Sequence, residues 1–253
     1  MDKRNTIGST WLARLNWQEA AEALARLPVV IPVGGSVVEH GPHLPYDTDR
    51  TIAEALVNAV AERVPVLVAP TIDYVYAPVV AGRGGTLTLT PEGFIELVSD
   101  VVRSLARHGT RQVLIVDRGE GTLAALNIVS RELHGELGIA LAVANPAGLA
   151  WDARQALIAS VPDGHAGEEE TALMLALAPE RVQAECIPGA SPSLPIAMQL
   201  PGGALFTPAS LLEGPGYVGD PTLATAETGR RIFEAIVDEL VQHVAGWREG
   251  QAA

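Results

Sequence analysis

Short apolar runs alternate along the chain with longer segments in which apolar residues recur at helical spacing. The apolar runs are continuous, which is typical of strands that are buried on both faces. They predict four strands, at residues 28–33, 65–70, 112–116 and 140–145. The segments with helical spacing predict helices at residues 17–27, 48–64, 91–108, 122–136, 168–178 and 222–247.

The alternation of strand and helix favours a mostly parallel sheet that is covered by helices on both faces. Residues 187–220 are rich in Pro and Gly, so we expect little regular structure there. No internal repeat or linker interrupts the pattern, and residues 1–253 are therefore predicted to form a single α/β domain. In such sheets, ligands bind beyond the carboxyl ends of the strands.

The net charge limits the classes of partner. It is −13 over 253 residues, with a pI of about 4.8, so the surface repels nucleic acid and anionic membranes. The single cysteine, Cys186, excludes an intrachain disulfide, and we expect a buried, unreactive thiol. The first residues lack the apolar core of a signal peptide, and no apolar run approaches the roughly 18 residues of a membrane helix. These features predict a cytoplasmic protein.

Potential metal ligands are concentrated directly after the first predicted strand. Residues 35–49 contain Glu39, His40, His43, Asp47 and Asp49. Imidazole and carboxylate groups together suit Zn, Mn or Fe, and an Asp can bridge two ions. The alternative is a polar loop in which Asp47 or Thr48 caps the next helix.

Two further segments carry candidate catalytic groups. His165 lies between small residues and precedes three consecutive glutamates at the start of a predicted helix. A His with a nearby carboxylate can transfer protons near neutral pH, although acidic residues in a first turn also complement the helix dipole. Glu120 lies between two glycines in the loop after the third strand. It either reaches into a site or belongs to a solvated turn.

Four motifs in this chain resemble, in order, those of the creatininase (creatinine amidohydrolase) family. Residues 32–49, PVGGSVVEHGPHLPYDTD, resemble its G-S-x-E-Q-H-G-x-H-L-P-x-x-T-D signature. GGTLTLTPEGF at 84–94 and HAGEEET at 165–171 are similar to its GTLSLSPET and HAG-x-x-ET elements. GYVGDPTLATAETG at 216–229 is similar to its C-terminal GDPxxAT-x-x-x-G element. The resemblance covers roughly residues 7–240.

The resemblance implies a single-domain, three-layer α/β/α fold with a mostly parallel sheet, commonly assembled into hexamers. It also implies a site with two divalent metals, often Zn or Mn. The usual chemistry of the family is hydrolysis of a C–N bond in a cyclic or formyl amide. Members open the ring of creatinine or deformylate a pyrimidine nucleotide precursor, and one processes the C-terminus of a ribosomal peptide.

Matching positions imply roles for four residues. His40 matches a metal-binding His of the family, and Asp49 matches the bridging Asp. His165 matches the catalytic His of the HAG element, and Glu170 matches the Glu five residues later.

At two places this chain departs from the family motifs. Together, the departures remove the ligands that bind only one of the two metal ions, as opposed to the bridging Asp. Val38 stands where the family has Glu, and Glu39 lies one place over, which in an extended loop points to the opposite side. The later family ligands come from an N-G-H-G-G-N or N-G-H-Y-E-N loop. In an alignment without a gap, the His of this family loop falls on Gly119, and the Glu of the second version falls on Gly121. A shift of one residue places Glu120 at the position of the His.

Three interpretations remain open. In the first, His40, Asp49 and Glu120 hold a single Zn or Mn ion in a hydrolase, since three protein ligands plus water suffice for catalysis. In the second, no metal binds, and the catalytic residues His165, Glu170 and Glu39 perform acid–base chemistry such as condensation, elimination by a lyase, or isomerisation. In the third, the chain is an inactive relative that binds a ligand or a partner subunit.

We predict the first interpretation, with at most one metal ion and a small cyclic or formyl amide as a small-molecule substrate. Nucleic acid and membranes are excluded as partners by the charge, and the family resemblance implies a homo-oligomer, namely a hexamer. The pocket is expected to be lined by residues 72–84 and 186–220, where the resemblance is weakest.

Overall fold

The computed structural model describes residues 10–119, 121–145, 148–191, 197–200, 203–206 and 216–249. Within these ranges the strands are β1 (Val29–Val33), β2 (Leu67–Val68), β3 (Gln112–Asp117), β4 (Ala140–Ala144), β5 (Ala197–Leu200) and β6 (Gly203–Phe206). The helices are α1 (Trp17–Leu24), α2 (Thr48–Arg63), α3 (Pro91–Arg107), α4 (Leu123–Leu137), α5 (Trp151–Leu157), α6 (Glu168–Leu177) and α7 (Ala226–Glu249). All predicted strands and helices are present.

The central sheet is parallel, with the strand order β2-β1-β3-β4. The chain therefore moves outward from β1 to β2 and then returns across β1 to pair β3 on its other side. Such a reversal opens a crevice between the two strands at their carboxyl ends, where ligands bind in open α/β sheets. Val33 lies opposite Asp117 in the register, so β1 and β3 end level with each other.

Helices cover both faces of this sheet and create two apolar cores. On one face, Val30, Leu114 and Val116 pack with apolar residues of α2, α6 and α7. On the other, Ile31 and Ile115 pack with apolar residues of α1, α3 and α4. Successive strand residues face opposite sides, so a continuous apolar run supplies both cores. The predicted three-layer α/β/α fold is confirmed.

Three details differ from the sequence-based expectations. Residues 187–220 were expected to hold little regular structure, yet β5 and β6 pair there as an antiparallel hairpin. The short helix α5 was missed, and Cys186 is only partly buried.

Helix α7 is long and amphipathic, and it packs closely against α6 through Gly229. A Cβ added at Gly229 would overlap the backbone carbonyl of Ala172 in α6. Among the described helices, none is both long and apolar enough to cross a membrane.

We expect Gly229→Ala to destabilise the protein by about 3 kcal/mol, because the new methyl group must push two packed helices apart. The matched control is Gly246→Ala in the same helix, where an added Cβ meets no atom within 4 Å. At this exposed position, Ala should stabilise the helix by roughly 0.5–1 kcal/mol relative to Gly. Urea unfolding measures both changes, and equal effects would contradict the close packing of α6 on α7.

Candidate metal centre and active site

The loop after β1 folds back onto the first turn of α2. A Cβ at Gly34 would lie only 2.6 Å from the carbonyl oxygen of Asp49, so a glycine is needed where the strand meets the helix. Backbone hydrogen bonds hold the loop, including Val38 N to Tyr46 O at 3.1 Å. Asp47 directly precedes α2, but its side chain caps no helical N–H and instead pairs with Arg181. Helix capping therefore does not account for the acidic residues of this loop.

His40 is directed by its loop toward a group of carboxylates. Its Nδ1 donates a hydrogen bond to the carbonyl oxygen of Val38 at 2.8 Å, because a carbonyl can only accept. Its Nε2 is buried and has no hydrogen-bond partner among the described residues. This atom lies 3.4 Å from Asp49 Oδ1 and 3.9 Å from Glu170 Oε2. A ring fixed at Nδ1 with a free Nε2 near carboxylates is the usual arrangement of a metal-binding His.

His165 approaches the same point from the loop before α6. Asp163 accepts hydrogen bonds from Glu168 N and Glu169 N at 2.6 and 3.1 Å, which fixes the start of the helix. The ring of His165 lies 4.7 Å from that of His40, measured between centroids. Its Nε2, like that of His40, is buried without a hydrogen-bond partner in the described part of the chain.

Three of these side chains are spaced so that they could surround one cation. His40, His165 and Glu170 each offer a ligand atom, and these atoms lie within 4.8 Å of one another. Asp49 adds a further carboxylate beside His40. Imidazole nitrogens with carboxylate oxygens form a donor set that suits Zn or Mn. The His40 nitrogen and the carboxylates beside it therefore fit one divalent ion, and His165 lies next to the same point.

Glu39 reaches the other side of His165. Its Oε1 accepts a hydrogen bond from Gly41 N at 2.8 Å, while its Oε2 lies 3.7 Å from His165 Nε2. Arg83 Nε lies 3.8 Å from the same oxygen, and a Cβ at Gly216 would overlap Glu39. Arg83 and Gly216 thus lie beside Glu39, while the lining of the substrate pocket by residues 72–84 and 186–220 stays a prediction.

Val38 and Glu39 point to different sides of the chain, as the one-place offset predicted. Val38 is 4% exposed and packs in the apolar core with Val75, so it cannot bind a cation. The backbone turns at Gly41, which has a φ of +66°. Before this turn, Glu39 lies beside His165, whereas His40 faces Asp49.

Arg118 is a site residue that the sequence analysis did not single out. It follows β3, and its backbone N donates to Val33 O at 3.0 Å. Its Nη2 donates to Glu170 Oε1 at 2.9 Å, and its Nη1 lies 3.7 Å from Glu169 Oε1. An Arg directly after a central strand was the signal available in the sequence. Glu120, the predicted third ligand, lies outside the described residues, so its role stays a prediction.

The three consecutive glutamates of α6 have separate partners, although the sequence allowed a plain helix-dipole explanation. Glu168 accepts hydrogen bonds from Ala159 N and Ser160 N at 2.9 and 2.7 Å. Glu169 pairs with Arg154 and Arg118, whereas Glu170 lies between Arg118 and His40. Both Glu168 and Glu169 are at most 3% exposed. Only Glu170 therefore belongs to the ligand group.

Burial and neighbouring charges shift the pKa values of His40 and Asp49 in opposite directions. Burial alone would lower the pKa of His40, but Asp49 and Glu170 outweigh it and raise the pKa to about 9. Burial would raise the pKa of Asp49, yet His40 and Arg118 hold that pKa below its ordinary value. Burial lowers the pKa of His43 to about 4, so this ring is neutral and bonds Thr171 Oγ1 at 2.7 Å. His43 is thus a structural residue.

Known proteins are similar to this chain in sequence over most of its length. A family model described as "Creatininase: Creatinine amidohydrolase" matches residues 13–244. The chain is 35% identical over 236 residues to a "Mycofactocin precursor peptide peptidase" of Mycobacterium ulcerans, covering 88% of this chain and 86% of that protein. It is 28% identical to a "Creatinine amidohydrolase" of Pseudomonas putida, covering 93% and 96% of the two chains.

Solved structures extend the likeness to the fold. A creatininase crystal structure superimposes with a TM-score of 0.77 at 25% identity, covering 94% of this chain and 97% of its own. Two further creatininase structures, titled as a mutant of "Zn-Zn type" and as "Creatininase Mn", each give a TM-score of 0.76. From the matched family model, the sequence identity and the shared fold, we conclude that this chain belongs to the creatininase family of amidohydrolases.

Proposed function

We propose that this protein hydrolyses a C–N amide bond of a peptide substrate and uses one divalent metal ion. The observation that carries the proposal is the pair of buried Nε2 atoms, on His40 and His165, that face carboxylates without a hydrogen-bond partner among the described residues. A buried, unpaired polar atom costs free energy unless a ligand satisfies it. A metal ion and a reacting substrate would do so.

The peptide substrate replaces the small cyclic or formyl amide that the sequence alone predicted. Relatives named mycofactocin precursor peptide peptidases, from Mycobacterium ulcerans and Mycobacterium tuberculosis, are 35% and 36% identical to this chain. The relative named creatinine amidohydrolase is 28% identical. The higher identity to the peptidases favours a peptide amide bond as the site of cleavage.

His40, Asp49 and Glu170 would hold the ion, because the His40 Nε2 lies within 3.9 Å of both carboxylates. A bound Zn or Mn ion polarises a carbonyl and lowers the pKa of an attacking water. His165 is the candidate proton carrier, since its Nε2 faces the same point and lies 3.7 Å from Glu39 Oε2. It would take a proton from the water and deliver it to the leaving nitrogen as the C–N bond breaks. Glu39 would stabilise the protonated ring.

A second candidate function is supported by Arg118. Its guanidinium already lies against Glu170, and positions Val38, Gly119 and Gly121 offer no ligand atoms. The pocket could then work without metal, with His165 and Glu39 as an acid–base pair in a non-hydrolytic reaction.

Metal content separates the two candidates. Protein purified without chelator should carry about one equivalent of Zn or Mn, and dialysis against a chelator should abolish peptide hydrolysis until metal is restored. Elemental analysis and a peptide-cleavage assay with mass spectrometric detection provide the measurements. Less than about one-tenth equivalent of metal, with activity unaffected by added Zn or Mn, would exclude the metal-dependent hydrolase.

The roles of the two histidines can be separated by substitution. His40→Ala should remove most metal binding, because it deletes the ligand nitrogen between Asp49 and Glu170. His165→Ala should keep the metal and lower kcat by about 10²–10⁴-fold, which is the usual contribution of a general acid–base group. Loss of metal from both variants would show instead that His165 is a ligand.

Several predictions from the sequence stay predictions here. They are the homo-oligomeric, hexameric assembly, the cytoplasmic location, and the exclusion of nucleic acid and membranes as partners. Light scattering coupled to size-exclusion chromatography would determine the number of subunits.

A further inference from the structure

A guanidinium group lies inside the carboxylate cluster of this site. The side chain of Arg118 is 4% exposed, and its Nη2 donates to Glu170 Oε1 at 2.9 Å. Its Nη1 lies 3.7 Å from Glu169 Oε1. The guanidinium is therefore a permanent positive charge shared by the carboxylates of Glu169 and Glu170.

Glu170 connects this charge to the ligand group. One of its oxygens, Oε1, accepts from Arg118, while Oε2 accepts from Ala166 N at 2.7 Å and lies 3.9 Å from His40 Nε2. A carboxylate bound at both oxygens has a fixed orientation. Arg118 thus sets the direction in which Glu170 presents Oε2 to a cation beside His40.

Three described positions that match ligands of the family motifs offer no side-chain ligand for a second ion, and Glu120 lies outside the residues described. Val38 packs in the apolar core, and Gly119 and Gly121 after β3 have no side-chain donor. A similar solved creatininase is titled as "Zn-Zn type". Two buried carboxylates beside one His need compensating positive charge, because uncompensated ionised groups are costly to bury. In this chain that charge is present on Arg118.

We propose that Arg118 is a resident cation that takes the charge-balancing role of a second metal ion, so that this centre binds at most one divalent ion. The proposal rests on the proposed function, whose single ion is held by His40, Asp49 and Glu170. Arg118 is a positioning residue in this scheme: it orients Glu170 and repels a second cation. Unlike a metal ion, it cannot be removed by a chelator or activate water.

The test is the stoichiometry and affinity of Mn²⁺ binding to the full-length chain, measured by calorimetry and by competition with a chelator. The wild-type protein should saturate at no more than one ion per chain. Arg118→Gln should bind Mn²⁺ at least about tenfold more tightly, because a positive charge next to the ion has been removed. Arg118→Lys keeps the charge and should stay within about threefold of the wild type.

Arg154→Gln is the matched control. Arg154 pairs with the other oxygen of Glu169, so this change removes the same charge from the same network and leaves the hydrogen bond from Arg118 to Glu170 in place. Its Mn²⁺ affinity should stay within about threefold of the wild type, because the charge is farther from the ion. An equal gain in Arg118→Gln and Arg154→Gln would overturn the specific role of Arg118, as would unchanged affinity in Arg118→Gln.

The outcomes distinguish this proposal from the proposed function. Two ions per wild-type chain would overturn the role of Arg118 and leave a metal-dependent hydrolase intact. No ion in the wild type, with one ion in Arg118→Gln, would exclude the metal-dependent hydrolase but support Arg118 as the resident cation. If Arg118→Gln does not fold, the number of Mn²⁺ ions bound by the wild type and by Arg118→Lys still tests the proposal. A second ion in either protein would contradict it.

Discussion

The parallel pairing of β1 with β3 is the constraint on which the site depends. Val33 lies opposite Asp117, and Arg118 N continues the pairing by donating to Val33 O at 3.0 Å. The loops that follow the two strands therefore start side by side, at the point where the strand order reverses. His40 comes from one loop and Arg118 from the other. A slip of this register would separate the imidazole from the guanidinium.

Balance of buried charge is the second constraint. Asp49, Glu169 and Glu170 are largely removed from water, and each lies beside a basic side chain. Ionised carboxylates persist in such surroundings only when positive charge is close to them. His40 and Arg118 supply that charge, which explains why the pKa of His40 rises while that of Asp49 falls. The arrangement is suited to exchanging the proton on His40 for a metal ion.

The residues near the candidate ligands divide into structural and chemical roles, according to the groups that surround their polar atoms. His43 Nε2 bonds Thr171 Oγ1 and the Glu168 carboxylate accepts from backbone N–H groups, so both residues stabilise the loops, while His43 Nδ1 has no hydrogen-bond partner among the residues described. His40 and His165 keep a buried nitrogen without a partner among the residues described. Composition alone gave all four the same weight. Nearby carboxylates set two of them apart, because His40 Nε2 lies 3.4 Å from Asp49 Oδ1 and His165 Nε2 lies 3.7 Å from Glu39 Oε2.

Much of this could be read from the sequence because it depends on local patterns. Continuous apolar runs predicted buried parallel strands, and linked motifs indicated the family and the positions of His40, Asp49, His165 and Glu170. The hairpin β5–β6 and helix α5 were missed because a segment rich in Pro and Gly and a very short helix have weak periodicity.

The sequence by itself determined the layered α/β fold, the acidic surface and the loss of ligand atoms at Val38, Gly119 and Gly121. Only the tertiary structure decided what fills the place of those ligands. Along the chain, Arg118 is far from Asp49 and also far from α6 and its glutamates. No local spacing in the sequence therefore connects these residues. Their contact exists because parallel strands bring distant loops to one edge of the sheet, and burial there makes opposite charges pair.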